Sequence, residues 1–210
     1  MKKIIKYLNE TIKKEKNILI FILITFFLGL ILGSLFINFI TEDDKKLLVE
    51  QLELFLSNVK NLTKDVFGIK VFSEEILNNG FQLFIIFVLG ISMIGLPVVI
   101  IIMFFKGFML GTTLATIILK YQFKGIIGSF LYVFPCYIFN IIIYIFISFF
   151  AVHASIKFLK ALLKKDNLNF KSFFGRYLLS FIISMFFMFI VCLLDAYLTP
   201  VLLKLFTYII

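Results

Sequence analysis

Apolar residues run through this chain in long blocks, and most of the charge sits in the stretches between them. Residues 18–40 hold 23 positions without a charge. As a helix this is about 34 Å, enough to cross a hydrocarbon core of about 30 Å. The block is too long for the apolar region of a signal peptide, and no Ala-x-Ala-like cleavage site follows, so it is expected to stay attached as an anchor. Residues 81–105 form a second block, interrupted by Gly90, Gly95 and Pro97. A proline removes one helical hydrogen bond, so this block is expected to be a broken or kinked span that Lys106 ends. Residues 107–123 are short for a crossing. With Lys120 and Lys124 snorkelling and Tyr121 at the interface they make a marginal third span, and the alternative is a re-entrant hairpin. Residues 125–156 exceed one span and divide at Pro135 into an interfacial or re-entrant piece and a fourth crossing. Residues 177–199 are the fifth, ended by Pro200, with 200–210 as an interfacial tail. The pattern predicts an all-α polytopic integral membrane bundle of about five transmembrane helices with broken or re-entrant segments.

Residues 41–80 break this pattern with five lysines and eight acidic residues. Leu48, Leu52, Phe55, Val59, Leu62 and Val66 recur in steps of four and three, as on the seam of a short coiled coil that Gly68 ends. This amphipathic helix either folds onto its own membrane domain or offers a docking face to another protein. Residues 1–17 carry six lysines with Ile4, Ile5, Leu8 and Ile12 at roughly helical spacing. They read as an amphipathic helix on anionic membrane lipid or as a solvated basic tail.

Composition turns the pattern into a class: 62% hydrophobic residues against 16% charged excludes an ordinary soluble domain. The formal net charge of +9 is read by location. The lysines flank apolar blocks and are not interleaved with aromatics, so nucleic acid is not an expected partner. Six basic residues in 1–17 and six in 157–176 contrast with five in the longer 41–80 segment. The positive-inside rule makes the two dense segments cytoplasmic. Parity then requires 107–123 to cross and puts 41–80 and 200–210 outside.

Candidate chemistry is sparse. Cys136 and Cys192 lack metal-ligand spacing and read as small core residues. His153 is the one histidine, expected at an interface without a role. The serines have no nucleophile setting, and no phosphate-binding glycine loop occurs. The expectation is therefore a protein without catalytic residues, cofactor or metal. Lys106 is expected at a cytoplasmic turn. Asp195 is expected near the outer end of the last span, in reach of water or of Lys120 and Lys124. Asn140 is expected to bond across helices or to a carbonyl freed at Pro135. What the spans do offer is small residues. Gly29 and Gly33 form one pair, a candidate homodimer seam, and Gly107, Gly111 and Ala115 form a stripe on which another helix can pack closely.

Asn78-Asn79 before a broken span, then Lys106-Gly107-x-x-x-Gly111, then a span opening with Pro135, resembles the stage II sporulation protein M family of five-span proteins. Many members of the wider family open that later span with Pro-His-Gly-x-x-Glu. Here Pro135, Cys136, Tyr137 and Asn140 stand at those positions, without the histidine, glycine and glutamate. The resemblance implies a protein of the mother-cell membrane in a spore-forming bacterium, a scaffold in engulfment. It would recruit or regulate peptidoglycan-remodelling enzymes, an amidase or endopeptidase and a lytic transglycosylase. The runner-up is a transporter or permease-type subunit. Broken spans favour it, and the lack of polar residues converging near the midplane counts against it.

Overall fold

A computed structural model describes residues 10–61, 64–92, 94–133, 136–163 and 170–209. The side chains of 58–70, 132, 136, 170, 200, 203 and 205–209 are outside the description. Among the described residues all regular structure is helical. Helix α1 spans Lys16–Phe36, α2 Glu42–Asn61, α3 Lys64–Ile91, α4 Gly95–Val133, α5 Cys136–Leu162 and α6 Phe170–Ile209. All but α2 contain a segment long and apolar enough to cross a membrane, five in all. The expected all-α bundle is what forms.

The helices alternate in direction, so the described parts of both lysine-rich segments, 10–17 and 157–163 with 170–176, lie at one end, with the α3–α4 turn. The opposite end carries α2 and is called the α2 end below. α2 starts under a polar lock. Asp44 N–H donates to Thr41 Oγ1 at 3.3 Å, and Glu42, Asp43 and Asp44 occupy its first turn, where carboxylates oppose the helix dipole.

Several span boundaries differ from expectation. The chain does not continue as one helix through residues 81–105. α3 ends at Ile91, and a short turn leads to α4 at Gly95. Pro97 is therefore in the first turn of a helix, where its missing N–H costs nothing, and it kinks no span. A Cβ on Gly95 would lie 1.7 Å from Leu89 O, so the turn is closed too tightly for any other residue. The second crossing is Val71–Ile91. It draws into the bundle residues that composition had assigned to the outer loop, and α3 runs through Gly68 without ending there.

The expected short span at 107–123 is the latter part of a long helix that starts at Gly95. Lys106 lies well inside that helix and not at a turn. α4 breaks at Gln122, whose φ of 48° and ψ of −123° reverse the chain. The piece after the break folds back on the first: a Cβ at Gly125 would meet Ile117 O at 2.5 Å, and Ser129 Oγ donates to Leu114 O at 3.5 Å. The re-entrant or interfacial reading belongs here. Pro135 lies outside the described residues, between α4 and α5. Within 157–176 the described residues are helix ends, up to Leu162 and from Phe170, and α6 continues past Pro200 to Ile209.

Close packing is concentrated where α1 meets α4, the most extensive helix pair. A Cβ at Gly29 would lie 2.2 Å from Phe104 O, and one at Gly33 2.1 Å from Phe108 O. Reciprocally, a Cβ at Gly107 would lie 2.1 Å from Phe26 O and one at Gly111 2.1 Å from Leu30 O. The two glycine pairs are thus each other's partners within one chain, which takes Gly29 and Gly33 away from a homodimer seam. Ala115, one turn further along the stripe, is half-buried.

Candidate functional site

Charged side chains inside an apolar bundle are costly and collect where something satisfies them. In this bundle polar residues enter from three helices at one-turn spacing: Glu75 and Asn79 from α3, Asn140 and Tyr144 from α5, Asp195 and Thr199 from α6. With Lys106 of α4, Tyr137, Ile141 and Phe55 of α2 they line one cavity of about 260 Å³. Lys106 stands eleven residues into α4, about 16 Å along the helix at 1.5 Å per residue, close to the middle of a span. Asp195, Thr199 and Tyr137 lie near their span ends. The cavity therefore runs from mid-span toward the α2 end, where Phe55 borders it.

Its walls are wired by hydrogen bonds. The Tyr144 hydroxyl reaches Gln82 Oε1 at 2.9 Å and Asn79 Oδ1 at 3.0 Å. Asn79 Nδ2 donates to Cys192 Sγ at 3.8 Å, and Thr199 Oγ1 donates to Asp195 Oδ1. Glu75 and Asp195 both face this cavity. Two carboxylates confined in one low-dielectric cavity repel, which favours a proton on one of them. The Lys106 ammonium lies 4.0 Å from the centroid of the Tyr144 ring, a cation–π contact. On the cavity walls two acceptors stay open: Glu75 Oε2 and Asn140 Oδ1 are buried and unpartnered.

Three expectations change here. Asn140 sits deep, only 8% exposed, but its carbonyl oxygen bonds to no described group. Asp195 accepts a hydrogen bond from Thr199 Oγ1, while Lys120 pairs with Glu53 of α2 at 2.5 Å. And polar groups do converge inside the bundle. Glu75 was missed because it belongs to a charged stretch that reads as solvated. The signal that marks it is the spacing of Glu75, Asn79 and Gln82, which puts three polar side chains on one face of the helix that makes the second crossing.

The candidate docking face divides. Leu56 is buried against Ile117, with Leu52, Tyr121 and Leu131 around it. Leu48, Leu52 and Phe55 line a groove of about 250 Å³ between α2 and α4, floored by Thr112, Thr113 and Thr116. So α2 lies on its own bundle, the first of the two readings of its seam. The side chains of Val59, Leu62 and Val66 lie outside the described residues. Leu47 and Leu54, two turns apart, face away and are exposed.

At the basic end a different set of residues fixes the α3–α4 turn. Gly90 admits the Ala151 backbone, since a Cβ there would lie 2.7 Å from Ala151 Cα and 2.1 Å from the Tyr177 hydroxyl. Ser155 Oγ donates to Gly90 O or Ser92 O, at 3.1 and 2.9 Å. Tyr177 donates to Phe87 O at 2.8 Å. Gly90 is thus a contact point and not a break. His153 is buried, with the Phe149 and Phe173 rings 6.2 and 6.3 Å away and Nε2 unpartnered. It is a core residue, not an interfacial one. Among the described residues no group of three or more His, Cys, Asp or Glu side chains is arranged for a metal ion.

Five apolar helices packed on an apolar core that encloses a polar cavity, with an amphipathic helix across one end, define a multi-pass helical membrane protein. Within that class the sequence carries a more specific stamp. The family model of stage II sporulation protein M matches residues 22–200, and the chain belongs to that family. No curated protein and no solved structure matches it.

Proposed function

We propose that this sporulation-family membrane protein is a non-catalytic scaffold in engulfment. It recruits or regulates peptidoglycan-remodelling enzymes, an amidase or endopeptidase and a lytic transglycosylase, at the mother-cell membrane. The observation that carries this reading is α2, an amphipathic helix held across one end of the bundle by Leu56 and the Glu53–Lys120 ion pair. Its exposed Leu47 and Leu54 form one stripe, and the groove at Leu48, Leu52 and Phe55 lies beside the same helix. By the positive-inside rule the lysine-rich end is cytoplasmic, so α2 faces the compartment where the wall enzymes work. An exposed apolar stripe bordered by a groove suits a partner helix or an extended segment with apolar anchors.

The test is photo-crosslinking from position 54 in sporulating cells, together with L47D and L54D. The expected result is a crosslink to a wall hydrolase and loss of its septal localisation in the double variant. Crosslinks to lipid alone, with localisation unchanged in a stably assembled double variant, would defeat the reading. The polar cavity favours a second reading, a transporter or permease-type subunit. Solute flux in vesicles that depends on Lys106 and Asp195 would establish it.

A further inference from the structure

The cavity between α3, α4, α5 and α6 holds opposite charges that do not meet. Lys106 contributes one ammonium, and Glu75 and Asp195 contribute two carboxyl groups; two carboxylates in one low-dielectric cavity repel, which favours a proton on one of them. Among the described residues no ion pair within 4.0 Å joins Lys106 to either acid. A structural salt bridge inside a bundle offsets its desolvation only when the partners touch and their remaining hydrogen bonds are made. Here they are held apart by open space, and Glu75 Oε2 and Asn140 Oδ1 on the acidic side are buried with no donor. A buried acceptor left open costs about 1–3 kcal/mol, so the site is built to receive donors there.

The charge balance selects the kind of guest. With one of the two carboxyls protonated the cavity carries one positive and one negative charge. A guest that is itself an ion would leave a net charge in a low-dielectric interior, at a cost of several kcal/mol. A guest that is neutral overall but carries both charges avoids this cost and satisfies both walls. The volume of about 260 Å³ holds a small solute and several waters. Aromatic walls at Tyr137 and Tyr144 suit an ammonium and its apolar carbons.

We propose that this cavity binds a small zwitterion, a primary ammonium joined to an acidic group, with the ammonium at Glu75, Asp195 and Asn140 and the acidic group at Lys106. Two sources share this chemistry: a free amino acid and the headgroup of phosphatidylethanolamine. The full-length protein would be purified into phosphatidylglycerol nanodiscs and its binding of alanine, lysine and glutamate measured at millimolar concentration by calorimetry and thermal shift. Methylammonium and acetate serve as half-ligands, and a second set of discs contains phosphatidylethanolamine. Amino-acid binding without phosphatidylethanolamine assigns a soluble ligand. A melting temperature raised only in the phosphatidylethanolamine discs, and lowered back by K106M, assigns the headgroup. Either result sustains the proposal if each half-ligand binds at least about tenfold more weakly, as losing one buried charge contact requires, and if K106M and N140L weaken the zwitterion by a similar factor. No response to either source overturns the proposal, as do half-ligands equal to the zwitterion or assembled variants that bind as wild type does. The half-ligand comparison uses wild-type protein alone, so a variant that fails to assemble does not spare the proposal.

Discussion

Replacing Gly111 by alanine adds one methyl group to a helix, a change that elsewhere stabilises by about 1 kcal/mol because alanine is the better helix former. In this bundle the sign reverses. The new Cβ would lie 2.1 Å from Leu30 O, 2.9 Å from Ser34 N and 3.0 Å from Leu30 C, all backbone atoms that no side-chain rotation can move. Relief requires α1 and α4 to separate by about 0.9 Å along this contact. A gap of that size forfeits a quarter to a half of the dispersion well at each atom pair, and the Cα–H···O contacts that such close approach permits are worth about 0.5–1 kcal/mol each. Overpacking of this kind costs about 1–3 kcal/mol, so G111A should destabilise by up to about 2 kcal/mol after the helix-propensity gain of about 1 kcal/mol is subtracted. Gly175 supplies the internal control, because a Cβ there meets nothing within 4 Å. G175A should be neutral or stabilising by up to about 1 kcal/mol. The assay is denaturant unfolding of purified protein in detergent, with wild type and both variants compared at their midpoints. If G111A unfolds at or above the wild-type midpoint, or if the two alanines behave alike, the α1–α4 interface is not closed through these glycines.

Further outcomes follow from contacts at the two ends of the bundle. S155A should destabilise by about 1–3 kcal/mol, since it removes the donor shared by Gly90 O and Ser92 O in a buried turn; a smaller loss is expected for Y177F, which drops the bond to Phe87 O but keeps the ring 4.8 Å from Phe87. Q122G should stabilise by about 1 kcal/mol in the same unfolding assay, because glycine alone adopts a positive φ without steric cost. Breaking the exposed Glu53–Lys120 pair with E53Q should leave the unfolding midpoint unchanged at high salt, where the pair is screened. Under those conditions a clear loss would mean that the pair is sheltered.

The number of spans and the role of small residues were legible because both depend on local composition. A charge-free block long enough to cross declares itself, and Gly29, Gly33, Gly107 and Gly111 stand in pairs four apart. What composition hides is where a turn falls inside continuous apolar sequence. Ser92 to Gly95 carries no charge to mark it, and Lys106, the nearest charge, is satisfied by the Tyr144 ring and the cavity instead of by water. Taking Lys106 as a stop shifted the second span toward the C-terminus by about three to four turns. Glu75 was lost with it. Asp195 and Asn140 could each be singled out alone, but their meeting is a property of four helices packed together, which no single segment encodes.

The pairing of α1 with α4 also has a consequence in time. Gly33 and Gly107 are 74 positions apart, and at ribosomal rates of about 5–20 residues per second the first helix emerges roughly 4–15 s before its partner. For that interval α1 stands in the lipid with its glycine face uncovered while α2 and α3 are still being made. The nascent protein is then most open to capture by a helix of another chain, and arrival of α4 withdraws that face for good. A length series of stalled nascent chains should show contacts of position 29 with the insertion machinery disappearing once the α4 stripe has entered the membrane.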